Sequence, residues 1–331
     1  MNLSIFKISE PRNFQRQVNS RRIVFGSAAK NFPVRESAEF SQLPNGSILR
    51  GEPFLRQNEI GGLNVTIPYK KAVIPFCSSL DPYAEEIGSV NTLVPDGGGG
   101  LKGYNTDALG LSYIAGQTGI VFTGAKVVIL GSGGTSLTAQ AVAKRKGARQ
   151  IVVISRSGPE NYDCLDRHFD ADILINTTPV GMYPHNGEKQ VDLEKFAHLS
   201  GVLDVIYNPL RTALLIQAEA LEIPCSNGLP MLVAQAVRAE EFFFGKPIED
   251  SEITRITAQL CREMRNIVLI GMPGSGKSSV GLELSKMTGR EIIDIDAEIV
   301  RIVGCSIPEL FRTQGEEAFR KLETEVVTRA G

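Results

Sequence analysis

At 331 residues, with 35 Lys and Arg against 37 Asp and Glu, the chain carries a net charge of -2. It is long enough for two or more compact domains, and neither basic nor acidic enough to point to nucleic acid or an anionic membrane as a partner. Hydrophobic residues make up 42%, yet no run approaches the roughly 18 apolar residues of a membrane span. The opening Met1-Asn2-Leu3-Ser4-Ile5 lacks the charged start, apolar stretch and cleavage site of a signal peptide. The expectation is a soluble, cytoplasmic protein. Cys77, Cys164, Cys225, Cys261 and Cys305 are scattered and never in Cys-x-x-Cys spacing, so neither a disulfide framework nor a zinc site is indicated. With only His168, His185 and His198, histidine chemistry is not expected either.

The first twenty or so residues carry no pattern, and residues 22–26 then read as a short strand ending in glycine. A helix is expected around residues 37–42. Residues 62–70, Gly62-Leu63-Asn64-Val65-Thr66-Ile67-Pro68-Tyr69-Lys70, form an apolar run stopped by a proline that cannot donate to a central ladder, so they read as a strand end. Lys70 lies on the turn that follows, where a lysine is by default a solvated charge. Residues 72–80 look helical but are interrupted by Pro75, and 87–94 form another strand-like run. Pro95 and the glycines at 97–100 signal a hairpin. Its return strand would carry Tyr104-Asn105-Thr106-Asp107, so that two β segments present Asn91 and Asp107 towards Lys70.

Lys126-Val127-Val128-Ile129-Leu130 is a continuous apolar run, as in a strand buried on both faces, and Gly131-Ser132-Gly133-Gly134 leads into an Ala-rich helix ending near Gly147. With the strand at 151–154 this is a βαβ unit. Glycines at Gly131, Gly133 and Gly134 let a dinucleotide pyrophosphate approach the backbone at a helix N-terminus, although tight helix packing also selects glycine. Where an acid would hold the ribose 2′-hydroxyl of NAD stand Ser155, Arg156 and Ser157. A guanidinium flanked by hydroxyls suits the 2′-phosphate of NADP, the alternative being a surface arginine on a turn. Strands at 172–176 and 201–205 end in the loops Thr177-Thr178-Pro179-Val180-Gly181-Met182 and Ile206-Tyr207-Asn208-Pro209, walls for a nicotinamide beyond the carboxyl ends of the sheet. An amphipathic helix carrying Gln235 follows Gly228.

A second start occurs at Asn266. Ile267-Val268-Leu269-Ile270 feeds Gly271-Met272-Pro273-Gly274-Ser275-Gly276-Lys277-Ser278, the complete pattern G-x-x-x-x-G-K-[ST] in strand-to-helix context. Backbone N–H groups around Gly274 and Gly276 would cradle ATP phosphates, Lys277 would reach the terminal ones, and Ser278 would ligate Mg2+. Asp294 and Asp296 stand at the end of the next apolar run, where they could hold metal and a hydroxylated substrate or simply form a solvated strand end.

Taken together, Asn64 to Lys70, Gly88-Ser89-Val90-Asn91-Thr92, Gly103-Tyr104-Asn105-Thr106-Asp107, the glycine turn, Asn176 to Met182, Tyr207-Asn208-Pro209 and Gly228 to Gln235 make residues 22–248 resemble shikimate dehydrogenase. The resemblance implies an α/β fold: an N-terminal substrate domain (1–115, completed by helix 229–248) and a Rossmann-like NADP-binding domain (116–228). It implies reversible reduction of 3-dehydroshikimate to shikimate by NADPH, with Lys70 and Asp107 as the catalytic pair. Asn64, Thr66, Asn91, Tyr207 and Gln235 would contact the substrate, and Thr177, Met182, Gly228 and Met231 would join the glycine turn and Arg156 at the cofactor. A lysine ammonium can stabilise and protonate the oxyanion left by hydride transfer, and orientation is the role assigned to Asp107. A homodimer is compatible with the family.

The family's Ser-x-Ser-Pro segment, which binds the substrate carboxylate, aligns here with Phe32 and Val34. Neither can hydrogen-bond a carboxylate, so Ser27, Arg35 or Ser37 would have to substitute, unless the alignment shifts through this weakly patterned region. After a linker at 249–265, residues 266–331 resemble the first part of shikimate kinase, with Asp296 and Arg320 implied to hold shikimate and Asp294 and Ser278 to act through Mg2+. The family's substrate loop and lid would follow residue 331, so little kinase activity is expected of this truncated P-loop α/β segment. Two other readings stay open: a dehydrogenase acting on quinate or a similar cyclic acid, and a non-catalytic nucleotide-binding module.

Overall fold

The computed structural model describes residues 6–9, 62–66, 69–272 and 274–330. The expected strand at 22–26, the helix near 37–42 and the positions Ser27, Phe32, Val34, Arg35 and Ser37 lie outside the described residues. Two compact units are present, one of residues 41–258 and one of residues 259–331 together with strand β1 (Phe6–Ser9).

The larger unit begins with β2 (Leu63–Asn64), and where a helix was expected over 72–80 there is only a 3-10 turn at Ile74–Phe76 and a strand, β3 (Ser79–Leu80). Pro75 tolerates the first turn of a helix but not its continuation. The expected strand over 87–94 is likewise divided. Its first residue closes helix α1 (Pro82–Ile87), whose N-cap Asp81 accepts from the N–H groups of Tyr83 and Ala84 and whose C-cap Gly88 is left-handed, at φ 64°. Strand β4 (Thr92–Pro95) then pairs antiparallel with β5 (Leu101–Tyr104), the hairpin read from Pro95 and the glycines. Asp96 closes its turn by accepting from the N–H groups of Gly98 and Gly100. The return strand stops at Tyr104. Asn105 caps helix α2 (Thr106–Gln117), so Asp107 lies in the first turn of a helix and not on a strand. The sheet order is β2-β4-β5-β3, over a core of Val65, Val73, Ala84, Val90, Leu93 and Leu101.

The expected βαβ unit is present as β6 (Lys126–Leu130), helix α3 (Gly134–Arg145) and β7 (Gln150–Ile154). Strands β8 (Ile173–Asn176) and β9 (Gly201–Asp204) follow, then helix α4 (Ala213–Ala220) and β10 (Cys225–Ser226). All five strands are parallel, in the order β10-β9-β8-β6-β7. Because β6, β8 and β9 are buried on both faces, alternate residues feed two cores. Val127, Ile129, Ile173, Ile175 and Leu203 pack on the α2 and α3 side, while Val128, Leu130, Leu174 and Val202 pack on the α4 side. The chain leaves β6 towards β7 and returns to the other side of β6 with β8. That reversal opens a crevice above the carboxyl ends of β6 and β8, the place where open parallel sheets bind ligands.

Helix α5 (Leu229–Phe244) ends four residues short of the helical span expected to 248, with Gly245 as its C-cap, and the stretch read as a linker contains helix α6 (Asp250–Met264). Helix α5 packs closely on α2 because Gly110 has no side chain; a Cβ there would stand 2.5 Å from the Met231 carbonyl oxygen.

In the second unit, β11 (Ile267–Leu269), helix α7 (Lys277–Thr288), β12 (Glu291–Asp294), helix α8 (Ile295–Val303) and helix α9 (Ile307–Ala330) follow in turn. The strand, loop, helix and following strand read from the sequence are there, with β1 lying between β11 and β12 and antiparallel to both. Gly315, at φ 82°, breaks α9.

Two glycines of α2 make a paired test of the packing. Gly116 faces open space, so Gly116→Ala should gain up to about 1 kcal/mol from helix propensity. Gly110→Ala gains the same propensity but must push α5 away, a cost of about 1–3 kcal/mol. Thermal denaturation should rise for the first and fall for the second.

Candidate functional site

Lys70 and Asp107 meet. The Lys70 ammonium lies 2.5 Å from Asp107 Oδ2, with side chains 26% and 19% exposed, so the pair is reachable from solvent yet largely walled by protein. Asn91 brings this about. It is 7% exposed, and its Oδ1 accepts from the Thr106 N–H at 2.7 Å and from the Thr106 hydroxyl at 3.2 Å, fixing the first turn of α2 where Asp107 sits. Its backbone ties in both neighbours, with its N–H donating to Tyr104 and its carbonyl accepting from Val65. Lys70 is held by its own carbonyl, which accepts from the Val90 N–H at 2.8 Å.

Asn64 joins the cluster through Thr92, whose hydroxyl donates to Asn64 Oδ1 at 3.3 Å and lies 3.2 Å from Asn91 Oδ1. Thr66 is exposed, with its carbonyl accepting from Tyr69 N–H in the turn that carries Lys70. Gln235 stands on α5 where that helix passes Gly110 of α2. Tyr207 is half-buried, and burial raises its phenol above the ordinary range; it shares no hydrogen bond with the Lys70 cluster among the described residues.

At the other sheet, Gly131 adopts φ 101°, a conformation that disfavours a side chain, and a Cβ there would also stand 2.9 Å from Thr177 Oγ1. Gly133 caps α3, and a Cβ at Gly133 or Gly134 would meet nothing within 4 Å. Open space at the N-terminus of a twelve-residue helix fits a pyrophosphate. Thr177 bridges from β8 by donating to the Leu130 carbonyl at 2.6 Å. Ser155 is buried at the end of β7, Arg156 and Ser157 are exposed on the turn after it, and Ser132, Ser155, Gly158 and Glu160 line a common groove. Met182 is 44% exposed, whereas Met231 is buried. Gly228 lies against the Val205 carbonyl, and its N–H donates to Ile206, joining the start of α5 to the 206–209 loop.

Sequence reading passed over Asp204. It ends β9 fully buried and accepts from Asn176 Nδ2 and the Ile206 N–H, each at 3.0 Å, and from the Thr212 hydroxyl at 2.7 Å. Desolvation dominates and pushes its carboxyl up to about 6 despite those donors. An aspartate closing an apolar strand, followed by Pro209 and Thr212, was the available signal.

In the second unit, Gly274 and Gly276 have positive φ, 77° and 84°, and buried Lys277 donates to the carbonyls of Gly271 and Met272 at 2.7 and 2.8 Å. Ser278 is exposed. Asp294 caps α8 by accepting from the Ala297 N–H, and Asp296 lies in the first turn of that helix. Arg320 pairs with Glu316 and Glu323 on its own helix. The loop has the backbone to receive phosphates. Among the described residues, no group of three or more His, Cys, Asp or Glu is placed to hold a metal ion, and no helix is long and apolar enough to cross a membrane.

Comparison with known proteins follows this division. Residues 45–93 match the family model of the shikimate dehydrogenase substrate binding domain, and residues 273–331 match that of shikimate kinase. A relative from Halothermothrix orenii named shikimate dehydrogenase (NADP(+)) is 36% identical over 216 residues, covering 58% of this chain and 74% of that protein. The solved chorismate mutase/shikimate 5-dehydrogenase fusion protein of Clostridium acetobutylicum is 32% identical with a TM-score of 0.62, over 68% of this chain and 86% of the other. Quinate dehydrogenase from Corynebacterium glutamicum, solved with NAD, is 25% identical with a TM-score of 0.58, over 69% and 85%.

The Asp204 carboxyl makes a pH prediction. With a folded value raised to about 6 against an unfolded one near 3.9, the folded protein binds more protons in between. This group's contribution therefore favours folding at low pH and is lost as pH rises from about 4 to about 6, an effect of order 3 kcal/mol. Urea unfolding midpoints compared across that window should show this slope in the native protein and lack it in Asp204→Asn.

Proposed function

Because the chain belongs to the shikimate dehydrogenase family, we propose that it interconverts 3-dehydroshikimate and shikimate with NADP. The observation that carries this reading is the 2.5 Å contact between Lys70 and Asp107 at a hairpin and helix locked together by Asn91. In the reducing direction, 3-dehydroshikimate, NADPH and one proton give shikimate and NADP+. NADPH, when bound, supplies the hydride. Lys70 holds the substrate oxygen by a charged hydrogen bond and delivers the proton to it as negative charge develops. Asp107 fixes the ammonium so that its N–H bonds point at the substrate, and partial exposure lets Lys70 regain a proton from water.

Asn64, Thr66, Asn91, Tyr207 and Gln235 are proposed to bind the ring hydroxyls and carboxylate. With Asn91 Oδ1 already accepting from Thr106, its amide NH2 is the end offered to substrate. The N-terminus of α3, with Gly131, Gly133 and Gly134, is proposed to hold the pyrophosphate. Ser155, Arg156 and Ser157 would take the 2′-phosphate, and Thr177, Met182, Gly228 and Met231 would line the nicotinamide. In this assignment residues 1–115 and 229–248 form the substrate part and 116–228 the cofactor part. For residues 266–331 we propose phosphate binding at Gly274, Gly276, Lys277 and Ser278, with ATP and Mg2+ as the ligands and Asp294, Asp296 and Arg320 nearby in role. Little phosphoryl transfer is expected of these residues.

A second reading, quinate as substrate, is favoured by the likeness to quinate dehydrogenase. Nicotinamide absorbance with shikimate or quinate, and NADP or NAD, separates the two. Shikimate with NADP should be fastest; a preference for quinate selects the second reading, and no turnover with either acid defeats both. Lys70→Ala should lower kcat by about 10²- to 10⁴-fold while NADP binding is retained. Arg156→Ala should raise the KM for NADP by about tenfold or more and leave that for NAD nearly unchanged. If NAD outperforms NADP in the native protein, the role given to Arg156 is wrong.

A further inference from the structure

Asp204 sits at the carboxyl end of β9, below the two loops assigned to the nicotinamide. Its three partners are all donors and come from three different segments: Asn176 at the end of β8, the Ile206 N–H, and Thr212, which caps α4 by accepting from the Leu215 N–H. Asn176, also fully buried, extends the network. Its Oδ1 accepts from the N–H and hydroxyl of Thr178 and from the Gln190 amide at 3.2 Å. The Thr178 hydroxyl in turn accepts from the Val180 N–H and is bonded by Gln190. The loops also touch directly, through the Tyr183 N–H on the Asn208 carbonyl at 3.0 Å and through Gly181, where a Cβ would stand 3.6 Å from Thr212 Cβ.

We propose that Asp204 is a positioning residue that holds the 177–182 and 206–209 loops in register with each other through Asn176 and Thr212. The inference rests on the reading that these loops wall the cofactor. A carboxylate suits the post because every partner donates: Ile206 N–H is fixed by the backbone, and the Asn176 amide is fixed in orientation by accepting from Thr178 N–H. An apolar side chain would strand these donors in a dry site. The groups facing Asp204 from β8, from the loop after β9 and from the α4 cap are neutral, and no charged side chain among the described residues offsets its burial. The fold keeps this carboxylate although ionising it at neutral pH costs stability. That local conflict is expected where a site is being built.

The test uses the full chain and two readouts. In Thr212→Val and Asp204→Ala, backbone hydrogen exchange of the unliganded protein should quicken by about tenfold or more at 178–182 and 206–208 together, with β6 and β7 unchanged. The KM for NADP should rise about tenfold, and the KM for shikimate should rise with it, because Tyr207 lies on the 206–209 loop. Asp204→Asn retains an acceptor for Asn176 and Ile206 and an NH2 for the Thr212 oxygen, so it should restore both readouts to near native. The proposal is overturned if exchange quickens in only one loop, if it quickens throughout the sheet, or if Asp204→Asn behaves like Asp204→Ala. Should Asp204→Ala fail to fold, Thr212→Val and Asp204→Asn still decide the matter. Because exchange is read without cofactor, a chain that never binds NADP would defeat the cofactor reading while leaving the coupling of the loops open to confirmation or refutation.

Discussion

A single buried amide organises the part of the molecule that carries Lys70 and Asp107. Asn91 lies between a turn, a hairpin and a helix, and its carboxamide oxygen takes the N–H and hydroxyl of the residue immediately before Asp107. Helix α2 therefore starts at a fixed place relative to the turn carrying Lys70, and the ion pair follows from that placement. Removing a buried acceptor costs about 1–3 kcal/mol, so this polar knot also weighs in the fold. Asn105 acts beside it, capping α2 while its amide donates to Ser89 and its N–H donates to Asp81 at the start of α1. Asp81, Asn91 and Asn105, from three separate segments, set two helix starts and the proposed catalytic contact.

The half built on the parallel sheet obeys a different constraint. Its three central strands are apolar on both faces, so nothing polar can be placed except at their ends. The sheet's chemistry accordingly gathers where β6, β8 and β9 stop: Gly131, Asn176 and Asp204. The first is backbone freedom, the second and third are a buried hydrogen-bonded pair. A rigid apolar layer beneath a polar rim is what lets the loops vary in sequence while the crevice keeps its shape.

Much of this was legible from the residues. The doubly buried strands, the glycine turn, the hairpin at Pro95 and the P-loop all have local signatures, and each was found where expected. Helix α1 was missed because its last residue, Ile87, reads on into the apolar residues that follow, although Asp81, Pro82 and Gly88 spell a cap, a first turn and a stop. Asp107 was read on a strand for the related reason that Asn105 looked like part of the hairpin and proved to be a helix cap. The 249–265 stretch is polar enough to pass for a connection, but Ile253 and Ile256 are buried and make it an amphipathic helix. Beyond the hint of a carboxylate closing an apolar strand, the role of Asp204 was not legible because it depends on Asn176 and Thr212, 28 and 8 residues away. Pairing of that range is set by sheet order and has no local signal.

In the proposed reaction Lys70, oriented by Asp107, faces the oxygen of a cyclic acid that is reduced or oxidised. A crystal structure of the protein with shikimate and NADP measures this directly. The ring should lie within the Asn64, Asn91 and Gln235 surroundings, with Lys70 Nζ about 3 Å from the reacting hydroxyl and still bonded to Asp107. Shikimate bound elsewhere, with the Lys70 ammonium turned away from its hydroxyls, would contradict it.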